Sequence, residues 1–147
     1  MPTARRSRTI AAPTQELWEL IGDPHHLPRW WPRVTRVESI EDGAFTEVMS
    51  TRKGKLVRAD FDVVESDEDR YVLRWSQRTA GTPFERVLRE AETEVRLSPA
   101  AEEGTQVTIE LRQVMSGMFA HVGAPMVRRA ARQTLDEALD GLERISG

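Results

Sequence analysis

The chain has 147 residues, 39% of them hydrophobic and 31% charged, with a net charge of −3. That is the size and balance of one folded domain over residues 1–147; it argues against disorder, and the slightly acidic balance argues against nucleic acid as a partner. The absence of cysteine removes disulfides, thiolate metal sites and a cysteine nucleophile together.

Residues 5–12 read as a first strand, stopped by Pro13. Proline is well placed at the start of a helix, where its missing N–H costs nothing. Gln15–Ile21 follows with Leu17, Leu20 and Ile21 on one face and Trp18 beside it, and Gly22 ends it. The segment from Asp23 to Pro32 holds three prolines and the adjacent pair Trp30 and Trp31, which leaves room for one short helical turn.

From Val34 the period changes to two. Val34–Ile40 and Phe45–Arg52 are strands joined by Glu41-Asp42-Gly43-Ala44, which has hairpin chemistry. Lys55–Glu65 alternates Val57, Ala59, Phe61 and Val63 against Arg58, Asp60 and Asp62, the pattern of a half-buried antiparallel strand. Tyr71, Leu73, Trp75 and Gln77 share the inward side of the next strand. Phe84–Leu97 sets Val87, Arg89, Ala91, Thr93, Val95 and Leu97 against Glu90, Glu92 and Glu94. Gln106–Met115 is the last strand, with Val107, Ile109, Leu111, Gln113 and Met115 inward.

Pro125–Ile145 closes the chain as an amphipathic helix. Val127, Ala131, Thr134, Leu135, Ala138, Leu142 and Ile145 form one stripe, and Arg128, Arg129, Arg132, Asp136, Glu137, Asp140 and Glu143 the other face. Hairpin-length connections imply an antiparallel sheet. The expected architecture is α+β: about seven strands curved around the long C-terminal helix, with two short helices after strand 1.

This order resembles the helix-grip fold of the START-like (SRPBCC) superfamily. The stretch RTIAAPTQELWELIGDPHHLPRWWPRVTRVE is similar to the opening of its polyketide cyclase/dehydrase-type members: strand, Ala-Pro, Trp-bearing helix, Asp-Pro, a Pro-Trp-rich turn and a Val-rich strand. The resemblance covers nearly the whole chain. It implies an apolar cavity between the sheet and the long helix.

The strand parities give the expected lining of such a cavity: Phe61, Trp75, Gln77, Arg89, Leu111, Gln113 and Met115. Trp30 and Trp31 either line its entrance or plug it. Met118, Phe119 and Met126, around Gly117 and Gly123, suit an adaptable wall or an early helical turn. Arg89 is the charged member. Pointing inward it needs a carboxylate or an anionic ligand group; the alternative is a bulge that turns it to solvent. The small space-leaving residues Val127, Ala130 and Ala131 place the room near the start of the helix, with Leu135–Ile145 as core.

Catalytic candidates are confined to Arg89, Tyr71 and His121, with no base at a recognisable spacing. His25 and His26 read as helix-start or surface residues without spaced companions, so no metal is expected. Neither phosphate-binding glycine motif nor nucleophile elbow occurs, and no cofactor is expected. The leading functional expectation is binding of a small hydrophobic or amphipathic molecule, lipid-, polyketide- or sterol-like. The alternatives are a cyclase, aromatase or dehydratase, as the resemblance permits, and a protein-interaction domain of the chaperone-activator type. No signal peptide or apolar run of membrane-spanning length is evident, so a cytoplasmic monomer or homodimer is expected.

Overall fold

The computed structural model describes residues 3–51, 53–117, 120 and 123–146. The elements in chain order are β1 (Thr3–Ile10), α1 (Thr14–Gly22), a 3-10 turn (Pro24–His26), α2 (Leu27–Trp30), β2 (Val34–Glu41), β3 (Ala44–Ser50), β4 (Leu56–Asp67), β5 (Val72–Gln77), a second 3-10 turn (Pro83–Arg86), β6 (Leu88–Pro99), β7 (Thr105–Met115) and α3 (Ala124–Ser146). The strands form a seven-stranded antiparallel sheet in the order β1-β7-β6-β5-β4-β3-β2. The six strands after α2 run as a meander, and β1 closes against the last of them.

Local chemistry explains the boundaries. Pro13 is the extended residue immediately before α1. Asp23 starts the 3-10 turn, its carboxylate accepting the backbone N–H of His25 at 3.0 Å. The strand expected from Phe84 begins instead at Leu88. Thr82 caps a 3-10 turn there, its hydroxyl accepting the Phe84 N–H at 3.2 Å, and Pro83 occupies the first turn, where its missing N–H is no loss.

The 23 residues of α3 give a helix about 35 Å long at ~1.5 Å per residue. Ala131, Leu135, Ala138, Leu139 and Leu142 are buried against the sheet and the short helices. Gly141 lies on this face as well. A β-carbon there would stand 2.3 Å from the carbonyl oxygen of Trp30 and 2.7 Å from its Cα. The glycine is therefore what lets α2 lie directly on α3. On the polar side, Arg6 pairs with Asp136 at 3.2 Å and Arg8 with Asp140 at 2.5 Å, joining β1 to α3.

The convex face of the sheet carries an ionic ladder, as the outward run of glutamates led one to expect. Arg74 bridges Glu65 at 2.8 Å and Glu92 at 3.0 Å, Arg5 meets Glu110 at 2.6 Å, and Arg96 pairs with Glu94. Such half-exposed pairs contribute roughly 0–1 kcal/mol each. The depression between Arg5, Glu94, Arg96 and Glu110 is lined by these ion-paired side chains and Thr108.

Candidate functional site

The concave face holds a run of aromatic rings that extends from α2 onto the sheet. Trp30 meets Trp31 edge-on at 5.4 Å, and Trp31 meets Trp75 at 5.8 Å. Trp75 in turn contacts Phe45 at 6.4 Å, and Phe45 stacks on Phe61 at 5.3 Å. Rings at these separations and angles gain about 0.5–1.5 kcal/mol per pair beyond their buried area. The run fills much of the space between α3 and the middle of the sheet.

Space remains at one end. A cavity of about 280 Å³ opens beside Trp31, lined by Trp31, Pro32, Arg33, Met49, Ser50, Thr51, Val57, Phe84 and Thr134. That is close to the lower limit of ~300 Å³ for small-molecule pockets. The β3–β4 hairpin supplies the floor, where Met49 faces Val57 across the ladder. The next inward pair, one pleat deeper, is Glu47 and Ala59, and beyond it lie Phe45 and Phe61.

Glu47 is the residue that sequence reasoning missed. It is 2% exposed and has the inward parity of Phe45 and Met49. Burial pushes its carboxyl up to about 8, and among the described residues no cation or hydrogen-bond donor offsets that desolvation. Ala59 opposite carries only a methyl, so β4 places no bulk beside the carboxyl. Gln77 adds a second polar group on the inward side, next to Phe61 in the ladder; its amide nitrogen is buried without a partner. The alternation Phe45, Glu47, Met49 was a usable signal for Glu47. It was blurred because Val48 is also buried, on the opposite face, between Arg36 of β2 and Arg58 of β4.

Of the expected lining residues, Trp31 borders the cavity directly. Trp30, Phe61 and Trp75 are buried in the aromatic run behind it. Leu111, Gln113 and Met115 are half-buried on β7, keeping the parity of Val107 and Ile109. Two expectations are corrected. Arg89 is exposed, because the β6–β7 register shifts between Leu88 and Glu90; the bulge breaks the parity count, and the Arg89 carbonyl accepts the Thr79 hydroxyl at 2.7 Å. Met126 is 77% exposed on the outer side of α3, and Ala130 is exposed too, so the room lies beside Thr134 rather than against the first turns of the helix.

Tyr71 sits away from the cavity, in the β4–β5 turn with φ +54°. Its ring meets Trp18 of α1 edge-on at 5.7 Å, and its hydroxyl donates to Gln15 at 3.0 Å. Met118, Phe119 and His121 lie outside the described residues. Among the described residues no three His, Asp or Glu side chains gather as a metal site. His25 is exposed and its ring meets the Asp23 carboxylate at 2.8 Å. No helix among the described residues is long and apolar enough to cross a membrane.

An antiparallel sheet gripping a C-terminal helix, with short helices after the first strand, defines a START-like helix-grip domain. The family described as "Polyketide cyclase / dehydrase and lipid transport" matches residues 1–147, and the chain belongs to it. Among solved structures it is similar to a START superfamily protein from Mycobacterium smegmatis, with TM-score 0.77, 15% identity and coverage of 98% of this chain and 96% of that one. The Zhui aromatase/cyclase from a Streptomyces species matches with TM-score 0.78, 16% identity and coverage of 98% and 92%. A conserved protein from Geobacillus kaustophilus matches with TM-score 0.77, 17% identity and coverage of 97% and 93%. No curated protein matches the chain by sequence.

Proposed function

We propose that residues 1–147 form one START-like domain that binds a small hydrophobic or amphipathic molecule, entering beside Trp31 and resting on the Met49–Val57 floor. The observation that carries this reading is the 280 Å³ cavity, whose apolar lining of Trp31, Met49, Val57 and Phe84 leads onto the aromatic run. Membership of a family that includes lipid transport agrees with it. Methionine and tryptophan at the opening provide an adaptable wall beside a rigid one.

Titration with Nile red, a neutral environment-sensitive dye, tests the reading. Saturable binding in the wild type is expected to weaken at least about tenfold in Val57→Trp, whose indole fills the floor of the cavity; this is a loss of about 1.4 kcal/mol. Val57 is half-buried, so the larger ring is accommodated without breaking the fold. No saturable binding, or equal binding by the variant, would rule the site out.

A cyclase- or dehydratase-type reaction in the same cavity is the second reading. The observation favouring it is Glu47, a buried carboxyl whose proton is held to near neutral pH, as general acid–base groups require.

A further inference from the structure

Among the described residues the interior holds the Glu47 carboxyl, two buried nitrogens without a partner (the Gln77 amide and the Trp30 indole) and the Thr93 hydroxyl amid aromatic and aliphatic groups. The carboxyl of Glu47 is flanked on its own strand by Phe45 and Met49, and across the ladders by Val37 and Ala59. The charged residues of the neighbouring strands face the other way. Arg36 and Glu38 of β2 hydrogen bond to each other at 2.7 Å on the convex side, and Arg58 of β4 pairs with Glu38 there at 3.3 Å. Asp60 of β4 accepts the Thr46 hydroxyl at 2.6 Å on the same outer side. The sheet-facing stripe of α3 offers Ala131, Thr134, Leu135 and Ala138, none of them titratable. Arg29 of α2 is exposed and turned to His26 at 3.1 Å.

A buried acid without a protein cation is costly in its ionised form. Two ligand chemistries would relieve it: a hydrogen-bond acceptor that keeps the carboxyl protonated, or a cation that compensates its charge. The surroundings favour the cation. Trp31 borders the cavity and the rings of Trp75, Phe45 and Phe61 continue behind it, and aromatic rings attract cations in a way they do not attract a carbonyl. Among the described residues the cation on the cavity wall is Arg33, exposed at the rim, where water screens it.

We infer that this cavity selects an apolar, aromatic-sized molecule bearing a protonated amine, whose nitrogen passes the Met49–Val57 floor and pairs with the carboxylate of Glu47. This rests on the binding reading above and names its ligand class. Met49, unbranched and half-buried, is the side chain that must swing aside. Binding then ionises Glu47. One proton leaves the carboxyl for solvent, and the ammonium–carboxylate pair replaces a neutral acid.

Calorimetric titration with three matched probes tests this: 2-(1-naphthyl)ethylamine, 2-(1-naphthyl)ethanol and 3-(1-naphthyl)propionic acid. The amine is expected to bind at least about tenfold tighter than the alcohol at pH 8, and the acid weakest. With the carboxyl held up to about 8 by burial, amine affinity rises roughly tenfold per pH unit from pH 6 to 7 and levels above 8, while the alcohol stays flat. In Glu47→Gln the amine preference and its pH dependence vanish and alcohol binding remains. The wild-type pH series stands without the variant. If the alcohol binds but the amine gains nothing over it, or if Glu47→Gln keeps the preference, the inference fails and the binding reading survives. Tighter binding of the acid would assign selection to Arg33 and overturn it equally. If none of the three binds, both fall.

Discussion

Glu47 gives the fold a measurable pH signature independent of any ligand. Its carboxyl is raised from 4.5 to about 8 by burial, so the folded state holds a proton that the unfolded chain releases. Stability from this group is fully present below about pH 4.5 and falls as pH rises toward 8, at about 1.4 kcal/mol per pH unit in that window. Glu47→Gln removes the loss, with the cost of burying an amide offsetting part of the gain. Urea denaturation at pH 5, 7 and 8 should show the variant's relative stability growing with pH; a difference constant across the three would mean that Glu47 titrates as an ordinary surface acid. Arg89 teaches the opposite lesson. Its parity with Ala91 was legible, but parity survives only while the ladder stays in step, and the shift between Leu88 and Glu90 turns the guanidinium to solvent. A bulge of that kind leaves no mark in residue type, which is why the strand was readable and this side chain's direction was not.

At the level of elements, the contact between α2 and α3 depends on a missing side chain. Glycine inside a helix ordinarily costs about 1 kcal/mol relative to alanine, so Gly141→Ala would stabilise an isolated α3. In the folded protein the new methyl meets the backbone of Trp30 at 2.3 Å, and a backbone segment held between Pro28 and Pro32 has little freedom to yield. Overpacking of this kind costs about 1–3 kcal/mol, and a contact this close belongs at or beyond the upper end, so the clash wins. The variant should lose about 2 kcal/mol net in chemical denaturation, with a changed near-ultraviolet signal from the Trp30–Trp31 pair. Unchanged stability would mean that α2 does not pack on Gly141. The sequence stripe Ala131, Leu135, Ala138 and Leu142 already gave α3 its buried face. It could not indicate Gly141, because the meaning of that glycine lies in another element.

For the molecule as a whole, the order of elements was readable from hydrophobic period and turn chemistry: period two from Val34 to Met115, then period 3.6. The location of the cavity was not, since it depends on how the aromatic run packs, and among the described residues only Trp31 of the expected lining borders it. The arrangement also fixes when the core can exist. Strand β1 is held by β7, with Arg5 bonded to Glu110 105 residues later, and Arg8 reaches Asp140 132 residues away. Contacts so distant in sequence make folding slow, on the scale of milliseconds to seconds. During synthesis the sheet's apolar concave face emerges before α3 does, and beyond the part that α1, α2 and Trp31 cover, it lacks the stripe from Leu135 to Leu142 until those residues have left the ribosome. Arrested chains ending before Ala124 should therefore bind a trigger-type holdase and sediment on release, whereas chains extended past Ser146 by a flexible tether should not; soluble arrested chains would show that the sheet masks its own face.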